Sequence, residues 1–395
     1  MWMTIKENKK ELLVLLIFVV TNLLFLSRGV IKYAVFSLFA VSILFFKKKL
    51  DFKQMIVFAH AIVYFVIGSV LALINKGVNY MCISQILIYF SAAFTAWNYY
   101  SLSDGKDTSK YLDLYFYGIC IAYAILFILF NHEGSAYYSD VPYGGTQFQS
   151  TLFWETHVYG YILGLFVVLY FCQKRFLHLC LALVFMMLEH KRIVELAVII
   201  SVLLVLSFKI LKKDENKEKL FIFYVVAFVI FSFVWIYMMS SDFLSNVLHL
   251  TDKLTSLRMS LWHSAVKHYS FNPLYIGKGI GWVKTWMSIE GIHNLDTLHN
   301  DFLVAYIELG FVGYLVWILS FVAVFFVSRK RIERKNKYVC LIAFFYMFLN
   351  FLTDNTYIYI SFMLPFYLIV LSLIFGEDKI KYVQILKLEE KLEID

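Results

Sequence analysis

Charge is what this sequence has least of. Only 16% of its 395 residues are charged, against 61% hydrophobic, and the mean hydropathy is +0.72. A soluble domain carries about 25% charged residues, so this balance excludes an ordinary soluble protein. Proline is also rare. Of Pro142, Pro273 and Pro365, only Pro365 falls inside an apolar run. Helices broken by proline at membrane midplane, of the kind that line transport paths, therefore have little support. The five cysteines (Cys82, Cys120, Cys172, Cys180 and Cys340) lie in or beside apolar runs without C-x-x-C spacing. That pattern excludes a disulfide framework and a cysteine metal site. No internal repeat is present. The first apolar run is followed by Arg28 and Lys32 rather than by a small-residue cleavage site, so it does not read as a removable signal peptide.

What the chain has in abundance is apolar runs of bilayer length, roughly 20 residues each. They predict about twelve spans, near 11–27, 30–46, 54–74, 80–98, 111–130, 154–171, 176–189, 193–211, 220–240, 301–327, 338–353 and 357–375. The predicted fold class is an all-α integral membrane protein, with residues 1–395 forming one polytopic domain. Lysine and arginine set the orientation. With both termini in the cytoplasm, the inner side collects Lys47–Lys49, Lys106, Lys174, Arg175, Lys212, Lys213, Arg329–Arg331 and the basic residues of the tail. The formal net charge of +8 thus marks a cytoplasmic face and calls for no nucleic acid. The inner loops are too short for a domain, so any chemistry is expected outside. Two outer segments exceed a turn: 131–153, rich in glycine, serine and tyrosine, and the large 241–300 loop between spans 9 and 10. The tail, 376–395, alternates charged and apolar residues and reads as an amphipathic helix on the inner surface.

Polar groups concentrate in and around the large loop, which holds His249, His263, His268, His293 and His299, half of the ten histidines. Read as a helix, 254–269 places Leu254, Leu257, Leu261, Trp262, Ala265 and Tyr269 on one stripe. Arg258 falls inside that stripe. It either lays its stem on the membrane surface or turns inward to an anion. Lys191 and Arg192, with Glu189, His190 and Glu195, form a charge cluster between two spans, either as a hairpin tip or as phosphate-binding cations. His299-Asn300-Asp301 opens the tenth span. His299 is either a water-facing helix-end group or a base for a sugar hydroxyl. Glu155 and His157 are a second, weaker acid/base pair. Asp354 and Asn355 read as turn caps with sugar contact as the alternative. GKGIGW (277–282) lacks the strand–turn–helix setting of a dinucleotide site and reads as a turn. Gly310 and Gly313 read as helix-packing positions.

The order of these features resembles the O-antigen ligase/polymerase superfamily, the Wzy-type polysaccharide polymerases. The resemblance rests on Arg192 in HKRIVELA and on Arg258 and Trp262 ahead of Pro273-Leu274-Tyr275-Ile276-Gly277-Lys278-Gly279. It also rests on His299-Asn300-Asp301-Phe302-Leu303 followed by Glu308-Leu309-Gly310 and Gly313. It implies a fold similar to the C-type glycosyltransferases and glycosyl transfer on the outer face of the plasma membrane. It implies a donor and an acceptor carried on undecaprenyl pyrophosphate, membrane lipid as surroundings, and a chain-length regulator as a further partner. No metal or other cofactor is implied, because the pyrophosphate already activates the donor. The implied catalytic residues are His299, Arg258 and Arg192. Lys191, Asn300, Trp262, Glu155, His157 and Asp354 are the implied substrate contacts. A ligase of the same superfamily and a lipid-linked oligosaccharide flippase are the alternatives.

Overall fold

The computed structural model describes residues 2–26, 52–78, 80–103, 108–130, 158–189, 191–241, 243, 247, 258–290, 297–328 and 334–376. Lipid offers no partner to a backbone N–H or C=O, so apolar runs of this length fold as helices. They do so here as α1 (Trp2–Leu26), α2 (Ala59–Ile74), α3 (Tyr80–Leu102), α4 (Thr108–Phe130), α5 (Val158–Cys172), α6 (Phe176–Glu189) and α7 (Arg192–Ile210). The series continues with α8 (Asp214–Ser240), α9 (Arg258–Ala265), α10 (Trp282–Glu290), α11 (Asp301–Ser328), α12 (Arg334–Phe351) and α13 (Ile360–Phe375). A one-turn helix, Phe52–Met55, and a 3-10 turn, Ile56–Phe58, lead into α2. Each expected span falls on one of these helices except 30–46, which lies outside the described residues. Among the described residues five segments are long and apolar enough to cross a membrane: Ile56–Ile74, Thr108–Leu129, Arg192–Ile210, Asp214–Ser240 and Asp301–Phe326. Four further apolar helices are shorter.

The centre of the bundle is α5 and α13, which bury nearly every residue. A helix apolar on all sides belongs inside, and α13 packs on α3 and α5 while α11 packs on α2. The outer helices expose apolar side chains instead, among them Leu12, Leu16, Val66, Val70, Ile199, Leu203, Ile222 and Val226. Water would penalise such faces, whereas acyl chains solvate them. This is a multi-pass membrane protein. One end of the bundle is clamped by ion pairs. Arg175 donates to Asp113 through two bonds of 2.6 and 2.8 Å, Lys337 meets Glu218 at 2.6 Å, and Lys110 meets Glu11. Lys191 belongs to the opposite end, because α6 runs the distance between Arg175 and Lys191.

The 277–282 segment does more than turn. It is wedged between α2, α3 and α11, and it changes the helix it meets. Within α11, Gly310 has φ 73° and ψ 178°, so the helix is broken there. The carbonyls of Ile307 and Glu308 accept from the N–H groups of Lys278 and Gly279, each at 2.9 Å. Phe311 N–H, which an unbroken helix would give to Ile307, donates to Tyr275 O at 3.0 Å. These backbone groups, freed at the break, thereby find partners in the wedged segment. On the other side Ile280 N–H donates to Gly68 O at 3.0 Å. Gly310 therefore does not serve helix packing as expected. Gly313 does, with α2 Ile67 close to where a Cβ would stand. Polar groups are also buried inside the bundle. His60 is fully buried in α2 and shares a 2.9 Å hydrogen bond with Tyr357, and buried Glu308 accepts from Tyr64 at 2.7 Å.

The wedge generates a stability test. A Cβ on Gly279, whose φ is +94°, would lie 2.3 Å from the Ala72 backbone nitrogen. Forcing a left-handed backbone onto alanine costs about 1 kcal/mol or more, and the clash adds to it. Gly279→Ala is expected to lower the midpoint of thermal unfolding in detergent by about 5 °C or more, or to abolish accumulation. Gly77→Ala, where a Cβ meets no atom closer than 3.9 Å, is expected to leave the midpoint within about 1 °C.

Candidate active site

The site begins with a carboxylate that has been taken out of water. Asp354 lies in the turn between α12 and α13 and is 1% exposed. An ion in such a place requires opposite charge and hydrogen bonds. It has both. Oδ2 faces Lys191 Nζ at 3.2 Å and Arg258 Nη2 at 3.3 Å, and it accepts from the Tyr161 hydroxyl. Oδ1 faces His299 Nδ1 at 3.2 Å and accepts the Asn355 N–H at 2.9 Å. Burial alone would raise the Asp354 carboxyl. The Lys191 charge, the His299 hydrogen bond and the Arg258 charge outweigh it and hold the group well below the usual carboxylate range. Asp354 is therefore an anion at neutral pH, and it gathers two cations and an imidazole from α7, α9 and the segment before α11.

Each partner is itself braced. Lys191 precedes α7, donates to the Tyr161 hydroxyl at 2.6 Å and lies 4.3 Å over the Tyr161 ring. Arg258 opens α9, and Leu261, Trp262 and Ala265 on that helix are buried. The helix is shorter than expected: after Ala265 the chain makes a 3-10 turn, Val266–His268, and 254–257 lie outside the described residues. Trp262 then ties α9 to the histidine. Its indole N–H donates to Leu298 O at 2.8 Å, one residue before His299. His299 itself has φ +49°, a left-handed conformation that is uncommon for a non-glycine residue. Such strain is held by what surrounds it. Thr297 donates to Asn355 at 2.6 Å, and Asn300 Oδ1 caps α11 by accepting Leu303 N–H at 3.0 Å. Asp301, also buried, accepts from Tyr357 N–H at 2.9 Å and from the Thr356 hydroxyl at 3.3 Å.

Nδ1 faces both Asp354 Oδ1 at 3.2 Å and the Asn355 amide nitrogen at 3.1 Å, and the full charge of the ionised carboxylate outweighs the amide and favours the tautomer that carries its proton on Nδ1. Nε2 is then the basic nitrogen. The arrangement thus offers two fixed cations and a base within one cluster. Positive charge can hold a phosphate-like group while the imidazole takes a proton nearby.

The residues expected from sequence distribute unevenly. Lys191, Arg258, His299 and Asp354 come together. Arg192 is exposed as the first residue of α7, and it is its neighbour Lys191 that reaches the carboxylate. Trp262 and Asn300 are buried with internal partners. Glu155 and His157 lie outside the described residues, as do 131–153 and most of the tail. Tyr161 was not anticipated. It sits in the apolar run VYGYILG with no polar neighbour to mark it.

Residues 177–318 match the family model described as O-Antigen ligase. No curated protein and no solved structure matches the chain. The matched stretch runs from α6 into α11. It includes Lys191, Arg192, Arg258 and His299, and it leaves Tyr161 and Asp354 outside.

The carboxylate sets a pH dependence of stability. Its pKa is depressed in the folded protein, so its contribution is complete above the unfolded value of about 3.9 and is lost as pH falls through the folded value. Asp354→Asn strands Lys191 and Arg258 beside a neutral amide, at a cost of roughly 3 kcal/mol or more. Thermal unfolding is expected to show a constant deficit for the variant between about pH 5 and 8, narrowing below about pH 4 as wild type loses its own anion. A deficit that widened toward acid would contradict the assignment.

Proposed function

We propose, from the match of residues 177–318 to the O-Antigen ligase family model, that the chain is a member of the O-antigen ligase/polymerase superfamily that polymerises lipid-linked oligosaccharide repeat units into a surface polysaccharide. On this reading the chain crosses the plasma membrane about twelve times with both termini in the cytoplasm, as its basic loops suggest. The ion-paired end at Arg175 and Lys337 then faces inward, and the Asp354 cluster faces outward. Donor and acceptor are both carried on undecaprenyl pyrophosphate, and a chain-length regulator is a further partner.

The observation that carries the reading is the convergence of Lys191, Arg258 and His299 on one buried carboxylate. Glycosyl transfer from a pyrophosphate breaks the bond between the anomeric carbon and the phosphate oxygen. It forms a bond from that carbon to an acceptor hydroxyl oxygen and releases the acceptor proton. Arg258 and Lys191 neutralise the pyrophosphate as it departs, which lowers the barrier most where the charge develops. His299 takes the proton at Nε2 while Asp354 steadies the resulting imidazolium. Arg192, exposed beside Lys191, is an outer cation for the same anion. Trp262 and Asn300 position His299 and do not touch the sugar. The description of the matching family favours a second reading, a ligase that moves finished glycan to another acceptor, by the same bond changes.

The size profile of lipid-linked glycan separates these readings. His299→Ala is expected to leave single repeat units where wild type shows a ladder, a loss of about 10²-fold or more in transfer. Arg258→Ala and Lys191→Ala are expected to do the same, whereas Arg192→Ala keeps a ladder. A ladder that persists in His299→Ala removes the base from the mechanism. Full-length chains accumulating on lipid identify a ligase.

A further inference from the structure

The Asp354 cluster accounts for one patch of the large loop. A second patch lies on α10 and has no part in the chemistry above. Trp282 and Trp286 are one turn apart and stack with ring centroids 5.8 Å apart and planes 9° from parallel. His268 closes the group, 5.2 Å from Trp282 and 4.5 Å from Trp286. Lys278 Nζ lies 5.8 Å over the Trp282 ring. Trp282 is half-buried and Lys267 is exposed, so this is a surface and not a core.

Two details separate it from a packing cluster. Trp286 is 94% buried by its 6% exposure, yet its indole N–H has no hydrogen-bond partner among the described residues, and His268 Nε2 makes none either, with Glu290 Oε1 4.0 Å away. Buried polar atoms are rarely left so. Burial also lowers the His268 pKa, which keeps the ring neutral at neutral pH, able to give or accept one hydrogen bond to a hydroxyl. The second detail is charge. Residues 258–290 carry Arg258, Lys267, Lys278 and Lys284 against the single acid Glu290. Arg258 is matched by Asp354, and of the other basic residues Lys278 lies against the aromatic rings.

The patch adjoins the reaction centre. Val283 N–H, next to Trp282, donates to Glu308 at 3.2 Å, and Val283 and Lys284 line a small cavity together with Thr297 and Asp301, which flank His299. Flat aromatic rings carry the apolar faces of sugars, indole N–H and imidazole groups serve their hydroxyls, and lysine serves carboxylate or phosphate. We propose that His268, Lys278, Trp282 and Trp286 form a saccharide-binding platform for a repeat unit that bears a carboxylate or phosphate. This rests on the function proposed above and adds the charge of the substrate.

The test starts with cells carrying His299→Ala. Their lipid-linked glycan is released with mild acid, and its charge is read by anion exchange and mass spectrometry. The free oligosaccharide is then titrated against the full-length wild-type protein in phosphatidylcholine nanodiscs. An anionic unit is expected. Its binding is expected to weaken about tenfold in Trp282→Ala and about fivefold in Lys278→Gln, with Lys278→Arg restoring affinity. Lys278→Gln keeps the backbone bond to Ile307, so the wedge stays in place. A neutral unit overturns the inference while leaving the polymerase reading intact. Wild-type binding that both variants retain also overturns it. So does loss of binding to phosphatidylglycerol vesicles, rather than to the oligosaccharide, in Lys278→Gln, because the patch is then a lipid contact. If no lipid-linked glycan accumulates and surface polysaccharide is unchanged, both readings fall.

Discussion

A carboxylate removed from water either takes up a proton or is matched by positive charge. Asp354 takes the second course, and much of the rest of the molecule follows from it. Matching one anion with Lys191, Arg258 and His299 requires that the start of α7, the start of α9 and the start of α11 meet beside the turn after α12. Residues far apart in sequence are thus fixed within one cluster. The pairing also has a consequence for binding. Before a substrate arrives the cations are already satisfied, so they stay inward and ordered instead of reaching into solvent. On the proposed function an arriving diphosphate competes with Asp354 for them, and it offers more negative charge and more oxygens than a single carboxylate.

Such a cluster needs a rigid frame, and the frame comes from an unusual use of a helix break. A kinked helix in lipid leaves backbone groups without partners. In α11 the exposed carbonyls and N–H are taken up by the 275–280 strand-like segment, bridging Ile276 to Gly310. Loop and span are thereby joined through backbone bonds rather than side chains. Glu308 adds a second joint by accepting from Tyr64 in α2 and from the first turn of α10. His299 lies at the beginning of this same α11, so the loop that is fastened at Gly310 also fixes the height of the histidine. The break therefore does not resemble a transport path: its polar groups are occupied by the protein's own chain.

The helices were legible from sequence because lipid imposes one solution on long apolar runs. The histidine and Arg258 were legible as candidates, because polar groups at the border of a span stand out. What sequence did not supply was the partner. Asp354 reads as a turn cap, since short acidic side chains favour turns for local reasons, and nothing local reveals two cations and an imidazole arriving from elsewhere. Arg258 was undecided between snorkelling and pairing for the same reason. Lys191 and Arg192 are adjacent, and which one turns inward depends on where α7 begins, a boundary that sequence places only within a residue or two. Tyr161 was invisible, because a tyrosine in an apolar run ordinarily fills space. Gly310 was misassigned because glycine serves both close helix packing and left-handed backbone, and only the segment wedged against it distinguishes the two.

The same distinction between local and assembled properties bears on how the large loop divides its work. At the Asp354 cluster one carboxylate faces two cations, so it offsets part of their charge and leaves a net positive site. Lys267 and Lys278 are not matched in this way, and Lys278 sits on an aromatic face beside a second indole. Unmatched positive charge acts over roughly a Debye length, about 8 Å at physiological salt. On the proposed function, an anionic glycan meets two positive patches of one loop, one partly exposed around Lys278 and the other buried around Asp354.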